Sequence, residues 1–421
     1  MEDTFNKFTH EFLTFKNYKN NGLNGIALYP AMMIDEMQKC ILEEVLKIYE
    51  KKENLILLDP FHGAGTSLLI AKELGLNQIG FDINPLANLI TKVKLYDYDN
   101  SIIEDKNKLF SLLDSNDEYE DFSFEKIEKW FREDIIKSLS KIRFSIIKIE
   151  NKKNRLLFWT IFSNVVRKYS NSRSSTFKLH IKEKSKIVLM ENKVIEEFKK
   201  EIENTLNKIS YSNSKNLSTN LYCGDSLDLL DTIMDNSIDI ICTSPPYGDN
   251  STTVTYGQFS SLALRWILRD DLDNFVNKVD YNYSSIDKLS LGGKKRILPL
   301  NLKCVDLYLN SLSESKKQKV INFVADYATI FSKLATKLKN GGYIILTVGN
   351  RKVDNKLFPF VDVNDELAKL YGFVKITEKR RDILNKRIAK KISKVDSNSV
   401  ESMSEEYILI YKRKEKANNE S

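Results

Sequence analysis

The stretch NLILLDPFHGAGTSLLIAKELGLNQIGFDINPLA, Asn54 to Ala87, decides the fold. Asn54 to Leu58 is a short apolar run, the length of a buried parallel strand. It runs into Asp59-Pro60 and a glycine-rich turn, Gly63-Ala64-Gly65. Ser67 to Leu74 reads as a helix stopped by Gly75. Gln78 to Phe81 reads as a second strand, closed by Asp82. Strand, turn, helix and strand make the unit of an α/β fold with a parallel sheet. The turn falls at the carboxyl end of the sheet, where such folds bind ligands.

The composition of the turn narrows the ligand. A dinucleotide turn wants a third glycine at position 68, which is Leu68, and the Gly-Lys-Ser/Thr ending of a phosphate loop is missing. The glycines permit close approach of backbone to a ligand. Asp59 is placed to hold a cation such as an ammonium group, and Asp82 to accept both hydroxyls of a ribose. An amino group at one end and a ribose in the middle describe S-adenosylmethionine. His62 fills a variable position and is expected only to shape the pocket.

From about Tyr96 to Asn220 the pattern becomes rich in Lys, Asn, Ser and Glu, as in FEKIEKWFREDIIKSLSKIRFSIIKI, and reads as a largely helical insertion. The α/β rhythm then returns. NLYCGDSLDLL gives a strand, an acidic turn and a helix start. Asp225 there has two readings, an acceptor for an adenine amino group with Ser226 as helix cap, or the cap itself. Asp271 to about Ser315 is irregular and holds the basic turn LGGKKR. The helix KKQKVINFVADYATIFSKLATKLKNGG is expected to end at Gly341-Gly342. GGYIILTVGN is a buried strand, VDVNDELAKLYGF a helix, and VKITEK and EEYILIYKRK the last strands.

The strand SIDIICT runs into the corner Ser244-Pro245-Pro246-Tyr247. Exocyclic amines of cytosine and adenine are poor nucleophiles, because the nitrogen lone pair is delocalised into the ring. A catalyst can hold the amine pyramidal with one acceptor per N–H. The Ser244 hydroxyl and the Pro245 carbonyl are two such acceptors. The prolines fix φ and lack donors, which stiffens the corner. Preset acceptors act most strongly in a water-poor pocket, and Tyr247 offers a flat face for a base, worth about 1–3 kcal/mol. A base in duplex DNA must be flipped out to reach the corner. Ring-carbon methylation needs a cysteine nucleophile, typically after a proline, and no cysteine here follows a proline.

The wider composition agrees with an enzyme acting on a polyanion. At 421 residues the chain exceeds what one compact core usually holds, so a main domain with a large insertion is expected. No apolar run reaches the ~18 residues of a membrane span, and MEDTFNKFTHEF has no secretory pattern. Four dispersed cysteines and three histidines argue for reduced thiols in a cytoplasmic protein and against a zinc site. The net charge of +7 is uneven. Lys141 to Lys186 holds thirteen Lys/Arg against Glu150 and Glu183, a local net of +11, and Lys379 to Lys394 holds eight against Asp382, a net of +7. Such clustering fits a nucleic acid.

DPFHGAGT and TSPPY together resemble the motifs of the amino-methyltransferases of DNA, the N4-cytosine/N6-adenine family. Tyr29, Pro30 and Ala31 resemble its segment that closes over the methionine end of the cofactor. The resemblance spans roughly residues 20–95 and 220–412. It implies a seven-stranded, mostly parallel sheet with an antiparallel last strand, and S-adenosylmethionine as cofactor. It places Tyr29, Pro30, Asp59, Phe61, Gly63, Gly65, Thr66, Asp82 and Asp225 at the cofactor, and Ser244, Pro245, Pro246 and Tyr247 in catalysis. The implied organisation is a cofactor half (1–95), a target-recognition insertion (96–219), a catalytic half (220–415) and a disordered tail (416–421). Arg167, Lys168, Arg173, Lys178, Lys294 and Lys295 are the candidate DNA contacts. The serine of the corner leans toward N4 of cytosine. The partners implied are double-stranded DNA and a restriction endonuclease paired in function, with no metal and no membrane. The rivals are N6-adenine methylation, methylation of an RNA amine, methylation of a protein glutamine, and a non-catalytic DNA-binding protein with the same fold.

Overall fold

The computed structural model describes residues 2–16, 18–20, 22–209, 217–248, 254–273, 279, 282–383, 391–395, 398–401 and 404–415. The expected tail at 416–421 and part of the second basic stretch lie outside them. Seven strands form one sheet. They are β1 (Ile56–Asp59), β2 (Asn77–Asp82), β3 (Thr219–Cys223), β4 (Ile238–Thr243), β5 (Leu338–Val348), β6 (Phe373–Asp382) and β7 (Glu405–Arg413). Their order is β3-β2-β1-β4-β5-β7-β6. β1, β2, β3, β4 and β5 pair in parallel, and β7 runs antiparallel to both β5 and β6. This is the sheet the family resemblance implies, with the antiparallel strand last in sequence but inside the sheet.

Alternation of side chains explains why both faces are covered. Leu57, Ile240, Cys242, Ile345, Ile408 and Ile410 pack with helices α1 (Asp35–Leu46) and α2 (Thr66–Glu73). Their neighbours Leu58, Ile241, Ile344, Leu346 and Leu409 point the other way, against α9 (Glu314–Lys337) and α10 (Phe360–Leu370). Near-continuous apolar runs are what a sheet buried on both faces requires.

The segment after β2 is helical, as expected: α3 (Pro85–Leu95), α4 (Ser101–Asp114), α5 (Glu133–Ile147), α6 (Lys152–Tyr169) and α7 (Val194–Leu206). Its core is not closed on itself. Leu109, Leu139, Phe158 and Phe162 share one apolar cluster with Leu86, Ile90 and Val93 of α3 and with Phe259 and Trp266 of α8 (Tyr256–Trp266). The insert is thereby tied to helices that border the carboxyl ends of the strands.

One boundary differs from expectation. The long helix ends at Lys337, and Gly341-Gly342 lie inside β5. Gly341 has φ +77, and the β4–β5 register shifts at this point. The glycines serve an irregular strand start rather than a helix cap.

Candidate active site

The carboxyl ends of β1, β2 and β4 open onto a cleft of about 880 Å³. Its lining brings together Tyr29, Pro30, Phe61, Gly63, Thr66, Asp82, Asp225, Ser244 and Pro246, which the sequence reading assembled from five separate segments. Asp59, Gly65, Pro245 and Tyr247 adjoin these residues in sequence or by hydrogen bond but do not line the cleft themselves.

The glycine turn has the left-handed backbone its residues permit. Gly63 has φ +49 and Gly65 has φ +75. A Cβ at Gly65 would come within 2.6 Å of the Thr91 side chain, so only glycine fits between the turn and α3. Behind the turn, Lys94 is fully buried and donates to the Ala64 carbonyl (2.6 Å) and Asn24 Oδ1 (3.1 Å). Burial brings its ammonium down to about 7. His62 is buried, with its ring nitrogens against the Gly63 carbonyl (2.9 Å) and Asn88 Oδ1 (3.2 Å), and it lines the cleft as expected.

Asp82 accepts from the backbone N–H of Gly63 at one oxygen (2.9 Å) and of Asn84 at the other (2.8 Å). Burial pushes its carboxyl up, against these bonds. Each carboxylate oxygen has a further lone pair, so Asp82 still fits two ribose hydroxyls. Asp225 lines the cleft and is itself the helix cap, accepting from the Leu227 N–H (3.0 Å). Ser226, the cap in the other of the two readings, donates to the Pro60 carbonyl (2.6 Å).

Asp59 is held from three sides. It is fully buried and accepts from Ser67 Oγ, from Thr243 Oγ1 (2.6 Å) and from the Phe61 N–H (3.0 Å). Burial raises its carboxyl. These three donors tie the glycine turn to the end of β4.

Sequence reasoning missed several contributors. Asn84 donates to the Tyr29 hydroxyl (3.1 Å) and to Ser260 Oγ (2.8 Å), and caps α3. Tyr256 stacks on Tyr29 with ring centroids 5.7 Å apart. Leu289, Ser290 and Leu291, from the turn that carries exposed Lys294 and Lys295, complete the wall. At the proline corner, Ser244 Oγ lies 3.1 Å from the Tyr247 hydroxyl, which donates to Glu406 Oε1 (3.2 Å). Arg381 holds Glu406 through Nε and Nη2.

The charged insert is less uniform than its sequence. Arg167 donates to the Thr176 carbonyl (2.6 Å) and lies over the Phe259 ring, 4.2 Å from its centroid, so it is a brace inside the lobe. Lys168 pairs with Glu197. Arg173 and Lys178 are exposed on a loop closed by the Ser172–Ile181 bridge. Phe177 of that loop packs edge-on against Phe259 of α8, the helix that brings Tyr256 to the cleft.

A doubly covered sheet of this order, with a glycine turn and an acidic residue at successive strand ends, defines the S-adenosylmethionine-dependent methyltransferases. No protein-family model matches the chain. It is 30% identical to the type II methyltransferase M.MvaI of Kocuria varians, over 96% of this chain and 94% of that one. It is 24% identical to the type II methyltransferase M.BsoBI of Geobacillus stearothermophilus, over 58% of this chain and 52% of that one. The rRNA methyltransferase aviRa of Streptomyces viridochromogenes aligns with a TM-score of 0.29 at 10% identity, over 91% of this chain and 86% of that one. The chain belongs to the type II methyltransferases, the modification enzymes of restriction-modification systems, which methylate DNA at specific sites. Its cofactor is S-adenosylmethionine. Among the described residues no helix is long and apolar enough to cross a membrane, and no group of His, Cys, Asp and Glu is arranged to hold a metal ion.

Proposed function

We propose that this enzyme methylates N4 of cytosine in double-stranded DNA, in the cytoplasm, alongside a restriction endonuclease that shares its site. The observation that carries the reading is the serine-type proline corner in the wall of the same cleft as Gly63 and Asp82. S-adenosylmethionine, when bound, supplies an electrophilic methyl group. Tyr29, Phe61, Gly63, Thr66, Asp82 and Asp225 would hold it. Ser244 Oγ and the Pro245 carbonyl accept the two N–H groups of a flipped cytosine and keep its amine pyramidal. Pro245 and Pro246 keep these acceptors fixed, so that catalysis is mostly positioning. Tyr247 gives the base a stacking face. Arg173 and Lys178, on the loop tied to α8, and Lys294 and Lys295, beside the cleft wall, meet the phosphates.

The test is to express the protein in a host whose DNA carries no methylated amines and to measure nucleosides by mass spectrometry. N4-methylcytosine is the expected product. N6-methyladenine would overturn the choice of base and keep the mechanism. Neither, with soluble protein present, would move the substrate to an RNA amine.

A further inference from the structure

The proline corner is wired to the far edge of the sheet. Glu406 on β7 and Arg381 on β6 are direct cross-strand partners. Both guanidinium nitrogens Nε and Nη2 of Arg381 point at Glu406 Oε2, leaving Oε1 to the Tyr247 hydroxyl at 3.2 Å. Arg381 is 6% exposed, and the Glu406 side chain 15%. Nothing in the cofactor chemistry calls for a buried ion pair here.

Its geometry sets the direction of every hydrogen bond up to the cleft. A carboxylate facing a guanidinium is an acceptor only. Tyr247 has one proton, and burial, with the charge of Glu406, pushes its phenol well up, so it keeps that proton. The proton goes to Glu406. The Tyr247 oxygen then accepts, and the Ser244 proton points to Tyr247 across 3.1 Å. Ser244 Oγ is left with lone pairs for the cleft. Were Tyr247 to donate to Ser244 instead, the serine proton would be free to face the N–H it has to accept from.

We propose that Glu406, held by Arg381, is a positioning residue that orients the Tyr247 and Ser244 hydroxyls so that Ser244 meets the target amine as an acceptor. The proposal rests on the reading of Ser244 as an amine acceptor. A plain structural role, tying β6 to β7, predicts something different.

The test is a double-mutant cycle on the full chain, with unmethylated genomic DNA and radiolabelled S-adenosylmethionine, followed long enough to read a thousandfold loss. Glu406→Gln keeps the shape, satisfies Arg381 with its carbonyl and presents an N–H to Tyr247, which reverses the chain. The expected kcat falls about tenfold or more, with KM for S-adenosylmethionine unchanged. In a Tyr247→Phe background the same substitution should have no further effect, because the relay is already cut. Full kcat in Glu406→Gln, or an equal loss in both backgrounds, overturns the proposal. If Glu406→Gln does not fold, Glu406→Asp keeps the charge for Arg381 and withdraws the acceptor from Tyr247. A folded Glu406→Asp with unchanged kcat overturns the proposal, and a tenfold loss that Tyr247→Phe abolishes supports it. Ser244→Ala separates the two levels. If it keeps full activity, the acceptor reading falls and takes the relay with it. If it is inactive while Glu406→Gln is not, the relay alone falls.

Discussion

At the strand ends, a handful of polar side chains line one cleft, and Asp82, Asp225 and Ser226 are each fixed by backbone they touch. In the insert, a stretch with thirteen Lys/Arg turns many of them inward. Arg155 forks onto Asp271, Arg143 donates to the Trp266 carbonyl, Arg167 to the Thr176 carbonyl and Lys182 to the Ser170 carbonyl. The cleft shows how few groups a site needs once the backbone is rigid. The insert shows that a basic run is not a basic surface: cations that brace helices leave fewer for a ligand.

The most damaging way to probe that contrast is at the centre of the insert. Arg155 Nε and Nη2 each lie 2.7 Å from Asp271, which also accepts from Trp159 Nε1 at 2.8 Å. Arg155→Met leaves a buried carboxylate without its cation and is expected to cost about 3–5 kcal/mol. Urea unfolding would measure it, and a loss under 1 kcal/mol would place Arg155 with the ligand-facing charges. At the cleft the expected signature is inverted. Ser244→Ala should leave the unfolding midpoint in place and lower methyl transfer about 10²–10³-fold, about 2.7–4 kcal/mol. A change in stability with little change in rate would make the corner architectural.

The parts legible in the sequence are the local ones. The glycine turn, Asp82 and the proline corner announce themselves because each geometry is set within a few residues. All seven strands of the sheet are read from the sequence, five with ends within a residue or two, while β5 starts and β6 ends three residues beyond the reading. What the sequence leaves out has a common physical cause. Two donors that fix Asp59, Ser67 and Thr243, come from α2 and β4. Gly341 was read as a helix stop, whereas its left-handed backbone serves the register shift of β5. Arg381 and Glu406 meet only because β6 and β7 pair in one register. No spacing in the chain encodes these contacts.

Lys94 sharpens the comparison from the cleft side, where one cation is buried behind the glycine turn with no carboxylate bonded to its ammonium. Folded, it loses its proton at about 7; unfolded, at the ordinary 10.5. Below the folded value both states are protonated and the buried charge destabilises in full. Between the two values the unfolded chain binds more protons, so stability rises with pH. Wild type should therefore gain on Lys94→Met by up to about 1.4 kcal/mol per pH unit between about pH 7 and 10. Urea unfolding of both proteins at pH 7 and 9 measures the difference, and a constant gap would mean the ammonium is solvated.

The smallest effect asks which insert charges face a ligand. Arg173 and Lys178 are exposed, on a loop fixed to α8 through Phe177 and Phe259. Arg167, six residues before Arg173, lies on the same Phe259 from inside. If exposure decides function, replacing Arg173 and Lys178 with Glu weakens DNA binding about tenfold. The slope of log affinity against log salt then drops by about 2, one per lost phosphate contact. The melting temperature stays where it was. Arg167→Met does the reverse, lowering the melting temperature and leaving the salt slope alone, since a guanidinium already on a ring and a carbonyl releases no counterion on binding. DNA affinity measured over a salt series for both variants decides the matter. Equal slopes for Arg173/Lys178 and wild type would move the phosphate contacts off this loop, toward Lys294 and Lys295 beside the cleft.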